Sequence, residues 1–341
     1  MRKSIVYILL FLCVVLAQSC SLIDDDLTDC AQEFMLNVRL RLETHLDVEL
    51  SETLSAETDE QARKIVKQYL DNIFTDTAHD IDIMFFKQSS DRMEKHIVDI
   101  IDGTQSVYTV FLPIDNYHNI SLANIERNEI VTVNDTLDEA TANLQVQNSD
   151  TIASQKTGIF SASLPVNVND SIENQTIEVS LKQVNCAVAL VNTQPSYNIG
   201  DISMYVAGTA SSYMLRDSLY LFDRPVLVKA DRLMPTSASA PKHIAADTTP
   251  AFQCLTAVCL PAPDLPTADG SYFKIYAYVP LDDGSVTENI LSVNRPLSAG
   301  RVMVIKTEMK EKGELVPVST TDVGVTVTLN WKQGAEHDID L

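Results

Sequence analysis

Residues 34–42 read FMLNVRLRL. Phe34, Leu36, Val38, Leu40 and Leu42 fall on one side of an extended chain; Asn37, Arg39 and Arg41 fall on the other. A period of two is the mark of a strand with one face in a core and the other in water. The style recurs outward from there. IDIMFFK (81–87) and KHIVDII (95–101) flank QSSDR (88–92), a hairpin with a moderate loop. SVYTVFLP, NISLANI, EIVTV, TIEVSL and CAVALV follow at short intervals. After a break at NTQPSYNIGD (192–201) the pattern resumes with ISMYVAG, SLYLF, VLVKA, FQCLTAVCLP, YFKIYAYVPL, ILSVN and RVMVIKTEM. Short strands at this density predict an all-β chain of sandwiches rather than a parallel sheet with crossover helices.

One segment breaks the pattern. TDEQARKIVKQYLDNIF (58–74) places Ala62, Ile65, Val66, Tyr69, Leu70 and Ile73 at helical spacing, and Thr58 with Gln61 forms a capping-box pattern. The expected organisation is therefore a first β-sandwich over 34–194, carrying that one short helix, and a second over 195–341. The closing stretch alternates most cleanly. Val323, Val325, Val327, Leu329 and Trp331 share one face, opposite Gly324, Thr326, Thr328 and Asn330. A terminal strand of this kind closes a core, and it can also pair with a strand of another subunit.

The N-terminus predicts export. Arg2 and Lys3 precede an apolar run from Ile5 to Ala17, too short to span a bilayer as a helix. Cleavage before Cys20 would remove residues 1–19 and leave a thiol at the new N-terminus for lipid attachment. Each buried acyl methylene contributes about 0.8 kcal/mol, so several chains make a durable anchor. Residues 20–33, with Asp24, Asp25 and Asp26, read as an acidic tether.

Charge and chemistry exclude more than they assign. The net charge is −22, and loss of Arg2 and Lys3 with the leader would make it more negative still. Such a surface repels phosphate backbones, so nucleic acid is not an expected partner. The six histidines are scattered, without H-E-x-x-H or an i, i+4 pair, and no P-loop, G-x-S-x-G or G-x-G-x-x-G occurs. No catalytic residue, metal ligand or cofactor is expected. The "DDG" at 282–284 reads as a hairpin turn, not a calcium loop. Cys254 and Cys259 lie too far apart along one strand to bridge each other, and no spacing supports a Cys30–Cys186 bridge.

CSLIDDDLTDC, from Cys20 to Cys30, resembles the mature start of FimB-type fimbrillin-associated anchor lipoproteins. IDIMFFKQSSDRMEKHIVDI is similar to that family's first strand pair, although Phe86-Lys87 stands where a phenylalanine–aspartate step is usual. VFLPIDNYHNISLANI keeps Tyr117 and Asn124 of a family segment but has Asn116 in place of glycine, and VTVTLNWKQG is similar to the family's terminal strand. The resemblance implies two tandem transthyretin-like sandwiches and a structural outer-membrane lipoprotein. Its implied partners are the membrane, through lipid at Cys20, and a fimbrial shaft pilin, through strand exchange. The alternative is a surface-exposed glycan-binding lipoprotein, to which eleven tyrosines but only one tryptophan could contribute stacking platforms.

Overall fold

The computed structural model describes residues 32–43, 60–71, 73–74, 78–100, 107–134, 136–170, 174–193, 202–233, 252–318 and 325–332, with the backbone alone at 43, 193, 252 and 325–332. Cys20, Cys30, the aspartates at 24–26, Thr58 and Val323 lie outside the described residues.

The opening alternation forms β1 (Glu33–Glu43). Leu36, Val38 and Leu40 are buried, while Arg39 and Arg41 are exposed. β1 lies parallel to β10 (Asn174–Gln183) and antiparallel to β4 (Val107–Pro113). The expected hairpin is β2 (Asp80–Lys87) with β3 (Arg92–Ile100); a bulge falls between Phe85 and Phe86. β5 (Asp115–Ala123) and β9 (Phe160–Val168) complete a seven-stranded sheet of order β3-β2-β5-β9-β10-β1-β4.

That sheet folds back on itself. β9 and β10 pair at only two positions, Ser161 with Lys182 and Phe160 with Gln183, so the strands part at a corner. Past the corner, a single apolar cluster draws Leu36, Val38, Ile83, Phe85, Val110 and Val179 from both arms of the same sheet. The result is a sandwich made from one sheet. Pro165, which has no N–H to donate, lies on β9 beyond those two positions, where no β10 ladder requires it.

The remaining strands form three sheets. β6 (Val131–Asn134), β7 (Asn143–Val146), β13 (Ser212–Met214) and β14 (Leu219–Leu221) make a four-stranded one in the order β14-β13-β7-β6. A five-stranded sheet runs β16-β17-β11-β20-β21, from β11 (Cys186–Thr193), β16 (Asp231–Leu233), β17 (Phe252–Cys259), β20 (Val302–Met309) and β21 (Leu315–Pro317). A six-stranded sheet runs β22-β19-β18-β12-β15-β8. It contains β8 (Thr151–Ala153), β12 (Ser203–Ala207), β15 (Leu227–Lys229), β18 (Phe273–Pro280), β19 (Val286–Val293) and β22 (Val325–Lys332).

The largest core ties these layers together. Val188, Leu190 and Leu255 of the five-stranded sheet share it with Val206, Ile275 and Leu291 of the six-stranded one. Met84, Phe86, Ile120 and Leu122, on the far face of β2 and β5, join the same cluster. β2 is consequently buried on both faces, and its sequence is a continuous apolar run rather than an alternation. Strands on either side of residue 194 pair with one another: β11 with β17 and β20, β7 with β13, and β8 with β15.

The helix α1 spans Glu60–Asp71 and buries Ala62, Ile65, Val66 and Leu70. It packs away from its neighbours in the sequence, on the five-stranded sheet, against Ala187, Ala189 and Val191 of β11 and Val302 and Val304 of β20. Cys254 and Val258 of β17 belong to the same cluster. Tyr69 Oη also donates to the Asp231 carboxylate of β16.

Candidate functional site

Four of the five residues proposed for subunit contact lie at alternate positions of β22. Val325 pairs with Val293, Val327 with Leu291, Leu329 with Asn289 and Trp331 with Thr287 of β19. β22 ends its sheet, so among the described strands its outer edge has no partner. A bare strand edge offers unpaired N–H and C=O groups to another chain. Beneath it, β19 is fixed by its own polar side chains. Thr287 Oγ1 donates to the Lys312 carbonyl at 2.6 Å, and Asn289 Nδ2 donates to the Gly313 carbonyl at 2.9 Å. The Leu315 N–H donates back to Asn289 Oδ1 at 2.8 Å.

The seven-stranded sheet also has two terminal strands, β3 and β4. Val98 and Ile100 on the first and Val107 and Phe111 on the second are all more than two-fifths exposed. Apolar side chains on strand edges are the usual raw material of subunit contacts.

Two family-like residues have clear physical roles. Tyr117 is fully buried and its hydroxyl donates to the Pro113 carbonyl at 3.0 Å, closing the turn between β4 and β5. Asn124 sits at φ +63° just after β5. Its Oδ1 accepts the His79 N–H at 2.7 Å, and its Nδ2 donates to the Gly158 carbonyl at 2.9 Å. Asparagine tolerates this left-handed conformation better than most residues.

The fold brings together one polar constellation that spacing did not reveal. His118 Nε2 lies 2.9 Å from Ser163 Oγ, and His118 Nδ1 contacts the buried Glu139 carboxylate, which also meets Arg216 Nε at 3.3 Å. The order serine, histidine, carboxylate resembles a nucleophilic triad. Here, however, Ser163 Oγ donates its proton to the Arg216 carbonyl at 2.7 Å, and so does not hand it to the imidazole. The group ties β5 and β9 to the turns at Glu139 and Arg216. Elsewhere, His96 Nε2 meets Asp82 Oδ1 at 2.6 Å. Burial pushes the Asp82 carboxyl up from its ordinary range, against the pull of His96. Among the described residues no group of three metal-ligating side chains converges.

A cleft of about 550 Å³ opens between β9, β10, β13 and β14, lined by Ser161, Ser163, Ser180, Ser218, Tyr213 and Tyr220 among others. The two tyrosine rings pack on each other at 4.7 Å, and Tyr213 is only 5% exposed, so its ring offers no open face to this space.

The fold and its edges define an all-β sandwich protein. Residues 28–230 match the family of fimbrillin-A associated anchor proteins Mfa1 and Mfa2, and the chain belongs to that family. No curated protein matches it by sequence. Among solved structures it is similar to a candidate cell-adhesion protein from Bacteroides eggerthii, at 11% identity and TM-score 0.51, over 89% of this chain and 97% of that one. A candidate adhesin from Bacteroides ovatus gives 9% identity and TM-score 0.51, again over 89% and 97%. The fimbrial anchor protein Mfa2 from Porphyromonas gingivalis gives 8% identity and TM-score 0.49, over 89% and 100%. At such identities, likeness of structure speaks for the fold alone.

Proposed function

We propose that this protein is a non-enzymatic lipoprotein that anchors a fimbria to the outer membrane, with lipid on Cys20, an acidic tether through Asp24, Asp25 and Asp26, and β22 engaging a shaft pilin by strand exchange. The observation that carries the reading is the family match over residues 28–230. The position of β22 at the end of its sheet supports it, because strand exchange needs an edge and no catalytic group. Growth with a clickable palmitate analogue tests the first half: the wild type should be labelled and sediment with outer membranes, and Cys20→Ala should be neither. An unlabelled wild type released to the medium would overturn the anchor. Truncation before residue 322 tests the second half. A labelled, folded truncation that no longer retains fibres is expected, with circular dichroism as the check on folding, and normal fibre retention would reject strand exchange at β22.

The hydroxyl-lined cleft favours a second reading, surface glycan binding. Glycan-array binding by the purified chain, lost on Ser180→Leu, without any pilin recovered in pull-downs, would put that reading first.

A further inference from the structure

Cys186 and Cys259 stand directly opposite each other in the antiparallel pair of β11 and β17. Both are buried, and their Sγ atoms lie 3.9 Å apart. The backbone fixes which kind of pair they form. Val258, the neighbour of Cys259, donates its N–H to Ser154 Oγ at 2.9 Å, and its carbonyl accepts the Gln155 N–H at 3.0 Å. Val258 therefore turns its peptide groups away from β11. By the alternation of an antiparallel ladder, Cys259 turns its own toward Cys186. Residues paired in this way have Cα atoms about 5.5 Å apart. Disulfides span about 4.4–6.8 Å between Cα atoms, so the backbone need not move. Rotation of the two side chains would bring the sulfurs to bonding distance, about 2.05 Å.

Neither sulfur has a competing thiol among the described residues. Cys254, the third described cysteine, pairs with Val191 and belongs to the cluster beneath α1, on the other face of the sheet. Sequence spacing offered no way to see the Cys186–Cys259 pair, because the two residues come together only through strand register.

We infer that Cys186 and Cys259 are joined by a cross-strand disulfide in the exported protein. The inference rests on the export reading above, since such bonds persist in oxidising compartments. The two thiols together give up two protons and two electrons. An incoming disulfide, that of a thiol–disulfide oxidoreductase or of oxidised glutathione, passes through a mixed disulfide and leaves as two thiols. Both sulfurs are enclosed in the finished core, so the exchange belongs to folding, before the sheets close. Burial, with Cys259 alongside, also holds the Cys186 thiol well above the ordinary range, which makes the folded dithiol a poor nucleophile. The bond closes a covalent loop that carries β12 to β16 and staples one end of the β11–β17 pair.

The test uses the full chain from two sources. Protein isolated from cell envelopes is denatured without reductant, alkylated with iodoacetamide and digested. The expected result is a linked pair of peptides carrying Cys186 and Cys259, lighter by two hydrogens than their sum, with Cys254 alkylated. A second sample is made in a reducing cytoplasm, unfolded, and refolded in a glutathione redox buffer; it should acquire the same link. In both samples, dithiothreitol should lower Tm for the wild type and leave that of Cys259→Ala unchanged. Alkylated Cys186 and Cys259 in both samples would overturn the bond on its geometry and leave the anchor reading standing. A link in the refolded sample alone would overturn it on compartment, and export would be the premise at fault.

Discussion

Asn124 holds a backbone conformation that few side chains accept, and its amide spans two segments distant in sequence. The Asn124 side chain joins His79, before β2, to Gly158, before β9. Replacement by alanine removes both bonds and places a Cβ residue at φ +63° without compensation. The expected cost is about 2–3 kcal/mol. Asn124→Gly should recover the backbone part and lose only the bonds. Urea unfolding of the three chains decides it, and a loss below about 0.5 kcal/mol for alanine would show that neither device matters. Asp82 makes a prediction of opposite character. Its folded carboxyl is raised, by burial first and by nearby Glu126 and Asp80, while His96 lowers it. Above the ordinary carboxylate pKa of about 4, the unfolded chain releases a proton that the native chain still keeps. Stability should therefore fall as pH rises from that point through the folded-state value. Asp82→Asn should flatten the slope in that window, and an unchanged slope in thermal melts from pH 4 to 6 would remove Asp82 as the titrating group.

Elements show which physics a sequence displays openly. β1 and β18 alternate because one face of each is buried, and the period of two is visible in the letters alone. α1 was legible for the same reason at a different period. β9 was not: in FSASLPVNV only small residues follow Phe160 through the corner, and the short alternation of Leu164, Val166 and Val168 is interrupted by Pro165, which argues against a central strand. Nor does any local signal announce the parallel pairing of β1 with β10 or of β11 with β20, because register is set by tertiary contacts far apart in sequence. The His118–Glu139–Ser163 group was hidden likewise, being assembled by one sheet and two turns. Where α1 docks was also invisible, since its apolar stripe says that it packs and not on what. That docking is testable. Leu70 is fully buried against the five-stranded sheet, and Leu70→Ala should cost about 2–5 kcal/mol. Lys64→Ala, on the exposed side, should stay within about 0.5 kcal/mol. Equal effects in chemical denaturation would mean that the helix is not held by that face.

At the scale of the whole molecule, the pairings across residue 194 make the chain interdependent. A fragment ending there would retain β11 but lose β17 and β20, its partners on both sides. It would also leave β7 without β13 and β8 without β15. The main core would be cut through, since Phe86 and Leu122 share it with Ile275 and Leu291. Residues 34–194 expressed alone are therefore expected to be insoluble or molten, with exposed strand edges inviting aggregation. The intact chain should instead unfold in one cooperative step. Trp331, its only tryptophan, lies in β22 and reports from the far end of the six-stranded sheet, while far-ultraviolet circular dichroism reports from every strand. Coincident urea transitions by the two probes are the expected outcome. A tryptophan transition that precedes the loss of strand signal would mean that β22 detaches from an otherwise folded body. That detachable behaviour is what an exchanging strand would need, and a fully cooperative β22 would confine exchange to its open outer edge.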